Sequence, residues 1–217
     1  GFQARFLQEA RAAATLQHPN IVQIFDFGTQ GDISFFVMEI VGDGSLRTVI
    51  DWQQQHGPAP LAVNLELVRQ AADGLGYAHR QGFIHRDIKP ENLLLQAVPD
   101  PAPGQLTHSV KVGDFGLARL AESRNMTMSG MVMGTPAYMS PEQCQGAAVD
   151  ARSDVYSLGV VLFELVVGTK PFEVRTATDA IYNHVFMAPP APRSVRADVP
   201  EEVEQIILRC LAKQPGE

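Results

Sequence analysis

His85-Arg86-Asp87-Ile88-Lys89-Pro90-Glu91-Asn92, followed downstream by Gly113-Asp114-Phe115-Gly116, is the pair of segments that decides how this chain is read. Short apolar runs at residues 93–96 and 110–113 lie between the two and predict paired strands. The stretch between those strands, residues 97–109, is Pro-rich and predicts an exposed loop insertion. Upstream, residues 65–81 place Val68, Ala71, Ala72, Leu75 and Ala78 on one face of an amphipathic helix, and residues 46–55 predict another. Downstream, residues 118–138 show no period and read as a loop. Residues 155–167 are apolar nearly all round, the pattern of a buried core helix. Residues 188–200 form a second Pro-rich surface stretch. Residues 201–212 predict a closing helix with Val203, Ile206, Ile207 and Leu211 inward.

Toward the N-terminus the pattern changes. Phe6, Ala10, Ala13 and Leu16 mark an amphipathic helix over residues 2–16, ended by His18-Pro19-Asn20. A strand over 21–27, a turn over 28–32 and a β-rich strand over 33–41 follow. Gly42-Asp43-Gly44-Ser45 predicts a flexible joint, and a lobe boundary is placed there, dividing residues 1–41 from 42–217.

The two quoted segments carry chemistry suited to phosphoryl transfer. That reaction needs little covalent help; it needs a carboxylate near the attacking hydroxyl and oxygen ligands that hold Mg²⁺ on phosphates. Asp87 suits the first role. Asn92 and Asp114 suit the second, because Mg²⁺ prefers hard oxygen donors and shares its shell with substrate phosphates. Lys89, two residues beyond Asp87, can lie beside it and neutralise charge on the transferred group.

Both segments, in this order and on these elements, resemble the catalytic loop and metal-binding loop of the protein kinase family, in its bacterial serine/threonine branch. The resemblance implies an α+β, two-lobed fold with an incomplete N-lobe sheet and a mainly helical C-lobe. It covers nearly the whole chain apart from the insertion at 97–109. By the same resemblance Gly134-Thr135-Pro136-Ala137-Tyr138-Met139-Ser140-Pro141-Glu142 ends the activation loop and seats the substrate, with Ser-Pro-Glu where Ala-Pro-Glu is usual. Thr135 is then the residue that bonds the catalytic aspartate and its lysine, and with Lys89 it points to serine or threonine acceptors. Asp154 resembles the buried aspartate that holds the catalytic-loop backbone; a simple helix N-cap is the plainer reading, and the two are compatible. Glu9 resembles the helix glutamate that pairs with an ATP-anchoring lysine. Met38 stands where a gatekeeper borders the adenine, the backbone of Glu39 and Val41 where the adenine edge is bonded, and Leu94 where the base has its apolar floor. For Met38 and Leu94, plain core packing is the competing reading. His85, Phe115, Gly116 and Glu142 occupy structural positions of the same motifs. Arg86 precedes the catalytic aspartate as in kinases switched by phosphorylation, and Thr127 and Ser129 lie at loop positions where bacterial relatives are phosphorylated.

What the resemblance implies is ATP with Mg²⁺ (Mn²⁺ as an alternative), protein substrates, a kinase dimer for trans-autophosphorylation, and cytoplasmic placement of this segment. The pattern lacks a glycine-rich loop and a strand lysine before Glu9, and the late arginine that pairs with Glu142. The chain is therefore expected to be cut at both ends, inactive alone, and to expose apolar sheet surface. A catalytically dead, partner-binding module is the alternative, disfavoured by intact Asp87, Asn92 and Asp114. A small-molecule phosphotransferase is disfavoured by the 134–142 segment.

Composition is consistent with this. The 217 residues are 45% hydrophobic and 19% charged, enough for a real core. A net charge of −7 argues against nucleic acid, whose phosphates need clustered Lys and Arg. Cys144 and Cys210 are too few for a disulfide scaffold and lack metal-ligand spacing. The longest apolar stretch, residues 155–168, is too short and mixed to span a bilayer, so no membrane contact is expected from this segment.

Overall fold

The computed structural model describes residues 13–31, 33–102, 105–115 and 136–216. Two small antiparallel sheets and a helical body make up the described chain. β1 (Ile24–Gln30) pairs with β2 (Ile33–Met38), and β3 (Leu93–Ala97) pairs with β4 (His108–Val112). The helices are α1 (Leu46–His56), α2 (Leu61–Arg80), the short α3 (Pro141–Cys144), α4 (Ala151–Val167), α5 (Ala177–Phe186), the short α6 (Pro192–Val195) and α7 (Glu201–Cys210). Single 3₁₀ turns sit at Pro90–Asn92 and Pro136–Tyr138.

The core is built around α4. Val160, Val161, Phe163, Leu165 and Val166 are all buried, as the all-round apolar pattern requires. Against it pack α2 through Ala71, Leu75 and Ala78, and α7 through Val203 and Ile207. α4 begins at an Asp150 cap, whose side chain accepts from Arg152 N, and stops at Gly168, whose φ of 90° only glycine takes cheaply. Along one face, Gly159 lets α7 come close: a Cβ there would stand 2.5 Å from Cys210 Cβ.

Several expectations are corrected. The turn at 28–32 is shorter, because β1 continues through Gln30. Gly28 lies opposite Phe35, and a Cβ on it would meet the Phe35 ring at 2.7 Å, so this glycine makes room for a cross-strand ring and does not end the strand. Ile21 is not in the hairpin but forms a parallel bridge to Val112. The segment 42–45 is not a loose joint. Asp43 N donates to Leu95 O, Leu95 N donates to Gly44 O, and the Asp43 carboxylate accepts from Ala97 N, so it closes the outer edge of β3. Ile206 points outward at 55% exposure, while Val203, Ile207 and Leu211 face the core as expected. α5 was not anticipated, although Thr176 and Asp179 form a capping box at its start.

Of the predicted first helix, only its end is described: Ala13 and Leu16 are buried, and Leu16 N donates to Ala13 O. Apolar side chains on the hairpin are exposed among the described residues, with Phe25 at 65% and Ile33 at 70%. Among the described residues no helix is long and apolar enough to cross a membrane.

Candidate active site

The segment 85–92 is a loop because its polar side chains fasten its own backbone. Asp154, on the first turn of α4, is 1% exposed and could not stay charged there without donors. It receives three: His85 N at 2.8 Å and His79 Nε2 at 2.7 Å on Oδ2, and Arg86 N at 2.7 Å on Oδ1. The helix cap is Asp150, so of the two readings of Asp154 the loop anchor is the one the geometry supports. Arg86 sits at φ 69°, a conformation that costs a non-glycine residue about 1 kcal/mol or more. It is held there from both sides, its N–H by Asp154 and its carbonyl by Gln143 Nε2 at 2.7 Å.

His85 ties this loop to the second motif. Its Nδ1 accepts from Asp87 N at 3.2 Å, so the proton belongs on Nε2, which donates to Gly113 O at 2.7 Å. Its ring meets Phe115 edge-on, with centroids 4.8 Å apart. Gly113 N in turn donates to Asn92 O at 2.8 Å. The two segments are thus crosslinked immediately before Asp114, which is exposed and at φ 59°.

Asp87, Lys89 and Asn92 form one cluster. Lys89 Nζ lies 2.7 Å from Asp87 Oδ2. Asn92 Nδ2 donates to Asp87 O at 2.8 Å and to Asp87 Oδ2 at 3.2 Å. With the amide nitrogen so committed, the amide oxygen of Asn92 has no partner among the described residues and is the atom that could meet a cation. Asn92 and Asp114 are both oxygen donors, the class a Mg²⁺ ion takes, and phosphates complete its shell. Among the described residues no three His, Cys, Asp or Glu converge as a metal-binding group.

Met38, Phe36, Ile21, Val112, Asp114 and Phe115 line one small pocket behind this cluster. Leu94 is not part of it; its side chain lies against Gly113. The Glu39 N–H is already used by Gln23 O at 2.9 Å, and its carboxylate is fixed by Lys111 Nζ at 2.9 Å and Gln23 N at 2.7 Å. The Glu39 carbonyl has no partner among the described residues. Val41 follows the 91%-exposed Ile40. Glu142 accepts a short hydrogen bond from Ser153 Oγ on α4. Glu9, Gly116, Thr127, Ser129 and Thr135 lie outside the described residues.

Sequence reasoning missed the supports. His79 and Gln143 hold Asp154 and Arg86 but belong to no motif, and nothing local marks them. A larger omission is Arg47 on α1. Its guanidinium bonds the buried Glu164 carboxylate through Nη1 at 3.1 Å and Nη2 at 3.3 Å, Glu91 Oε1 through Nε at 3.1 Å, and Tyr138 OH through a short contact. Tyr138 OH also donates to Glu164 Oε2 at 2.6 Å. Glu164, within an otherwise apolar helix, was the one visible hint: a buried carboxylate requires a cation.

A carboxylate beside an ammonium and an amide, crosslinked to the residue before a second carboxylate, is thus set on a two-lobed α+β frame. The model of the family described as "Protein kinase domain" matches residues 2–217, and the chain belongs to that family. It is 39% identical to the serine/threonine-protein kinase PknB of Mycobacterium leprae, over 99% of this chain and 33% of that protein. It is 37% identical to the serine/threonine-protein kinase PrkC of Bacillus subtilis, over 99% of this chain and 31% of that one. The chain thus spans about a third of the length of these curated relatives. Among solved structures, the kinase domain of Mycobacterium tuberculosis PknI, in a double-mutant form, superposes with a TM-score of 0.73 at 25% identity, covering 99% of this chain and 72% of that one.

Proposed function

We propose that the protein transfers the γ-phosphate of ATP to serine or threonine hydroxyls of other proteins, with Mg²⁺ or Mn²⁺ as the metal. The observation that carries this reading is the Asp87–Lys89–Asn92 cluster, pinned from below by Asp154 and bridged through His85 to the residue before Asp114. ATP and the ion supply the phosphoryl group and the charge that makes it transferable. Asp87 holds the acceptor hydroxyl and takes its proton as the oxygen–phosphorus bond forms and the bond to the ADP oxygen breaks. Lys89, already at Asp87, balances negative charge on the moving group. Asn92 and Asp114 would hold the ion. Asp87 and Lys89 are both partly exposed, as groups that meet a substrate must be.

Regulation is read from Arg86. Its backbone is fully engaged, but no partner is seen for its guanidinium among the described residues, which leaves it free for a phosphorylated Thr127 or Ser129. A dimer that phosphorylates itself in trans, and a cytoplasmic setting, belong to the same reading, as does a lobe boundary near residue 41.

The test is a pair of variants in the full-length protein. Asp87→Asn is expected to lower turnover by about 10³-fold or more while ATP binding persists. Asp114→Ala is expected to weaken Mg-ATP binding itself. Unchanged turnover in the first would refute the role of Asp87, and unchanged binding in the second the role of Asp114.

A further inference from the structure

The cluster around Arg47 borders the site, yet no step of the reaction uses it. Arg47 is the second residue of α1, where the positive end of the helix dipole opposes a cation. What it meets there holds it in place. Nη1 and Nη2 fork onto the two oxygens of Glu164 at 3.1 and 3.3 Å, Nε bonds Glu91 Oε1 at 3.1 Å, and Nη2 also donates to the Tyr138 hydroxyl. Asp51 Oδ1 stands 3.6 Å from Nη1. Burial, with the Glu164 charge beside it, raises the Tyr138 phenol, so the hydroxyl keeps its proton and donates it to Glu164 Oε2 at 2.6 Å. All three guanidinium nitrogens thus face acceptors, in the planar arrangement that only this group matches.

Without its own arginine, this arrangement is a receptor for another. Three carboxylates meet the one guanidinium. Glu164 is buried, whereas Glu91 and Asp51 are exposed, so the outer side of the cluster faces solvent. It also lies where a substrate would run. Glu91 immediately precedes Asn92, whose amide bonds Asp87 Oδ2 at 3.2 Å, and Tyr138 belongs to the 134–142 segment that the family resemblance assigns to seating the substrate. Consecutive Cα atoms are about 3.8 Å apart and an extended chain advances about 3.3 Å per residue. A side chain within about four residues of an acceptor held at Asp87 therefore reaches Glu91.

We propose that Arg47 is a specificity-determining residue: it fills, with the protein's own guanidinium, an acidic subsite of Glu164, Glu91 and Tyr138 that an arginine flanking the substrate's acceptor would otherwise occupy. The proposal rests on the protein-kinase reading above. With Arg47 in place the protein is indifferent to a basic residue at that position, and a single substitution opens the subsite. Removing Arg47 strands a buried carboxylate without its cation, so the opened site draws a guanidinium from outside. If Arg47 only pinned α1 to α4, its loss would lower stability and leave substrate preference unchanged.

Arg47→Ala and the double variant Arg47→Ala/Glu164→Gln are made in the full-length protein. Each is given serine and threonine peptides in which one arginine is scanned through the positions flanking the acceptor. In the parent the arginine should change kcat/KM by less than about threefold at every position. In Arg47→Ala it should raise kcat/KM about tenfold or more, through KM, at one or two positions on one side of the acceptor. The double variant, which lacks the buried charge, should lose that preference and recover stability. A second readout needs no turnover, so it decides also where Arg47→Ala is too unstable to assay. Methylguanidinium at about 20 mM should raise the melting midpoint of Arg47→Ala by about 2 °C or more over the same concentration of NaCl, and should leave the parent and the double variant unmoved. The proposal is overturned if Arg47→Ala phosphorylates peptides with the parent's preferences, or if methylguanidinium does not distinguish it from the double variant. A parent that phosphorylates neither itself nor any peptide would instead refute the kinase reading, and the melts would still decide whether Arg47 fills an acidic site.

Discussion

At the scale of single residues, the candidate site rests on one buried carboxylate, Asp154. Asp154 holds two consecutive backbone N–H groups of the catalytic loop and a histidine. Asp154→Ala would leave those donors buried and unpaired and would release Arg86 from its φ of 69°. The expected loss is about 3 kcal/mol or more of stability, measured by denaturant melts, together with a fall in turnover larger than the loss of ATP affinity. Asp154→Asn, which still accepts on one oxygen, should recover part of both. A simple helix cap would not predict that kinetic effect, since Asp150 does the capping.

Among the elements, two contacts set how the helical body closes. α7 approaches α4 at Gly159, where a methyl group would stand 2.5 Å from Cys210 Cβ. Gly159→Ala is therefore expected to destabilise by about 1–3 kcal/mol despite the better helix propensity of alanine. Thermal unfolding of the variant would show it, and an unchanged or raised midpoint would contradict the packing described here. The second contact joins α5 to α4 through His184, which is fully buried. Its Nδ1 faces Tyr156 OH at 3.0 Å, its ring meets Phe172 and Tyr156 edge-on, and Lys213 Nζ donates to its carbonyl at 2.8 Å. Burial, reinforced by the Lys213 ammonium, pushes the imidazole down to about 4. Between that value and the ordinary one near 6.5 the unfolded chain binds the proton and the folded chain does not. The stabilisation is complete above pH 6.5 and is lost as pH falls toward 4. His184→Gln should flatten the stability difference between pH 7 and pH 5 relative to the parent, read from melts at each pH.

At the scale of the whole molecule, Lys213 is a cation with no carboxylate partner among the described residues, set over the Phe172 ring at 4.5 Å and bonded to the carbonyls of Asn183 and His184. Burial lowers it to about 8. The unfolded lysine holds its proton up to about 10.5, so folding opposes its charge, and stability should gain as pH rises from about 8 to 10.5. Lys213→Met, which keeps the aliphatic stem, should abolish that gain in melts across this range. The two cysteines take no part in such chemistry: both are free, and burial raises Cys144 to about 11, away from the reactive thiolate range.

Sequence by itself determined the family and the α+β fold, and it singled out Asp87, Lys89, Asn92, Asp114 and Asp154 as the candidate site residues. Asp87, Lys89 and Asn92 lie within one short contiguous motif, where spacing alone places the groups within reach of one another, whereas Asp114 and Asp154 come to it only through the fold. Burial periodicity fixed α2 and α4 for the same reason, since a helix declares its inner face every three or four residues. Tertiary structure decided the rest. It assigned Asp154 to the loop and Asp150 to the cap, turned Gly28 from a turn residue into a strand residue under Phe35, and fastened the glycine-rich joint to β3. It also brought Arg47, Glu91, Tyr138 and Glu164 together from four distant segments. Those arrangements depend on which buried polar groups find partners across long sequence separations, and no local pattern of residues records that.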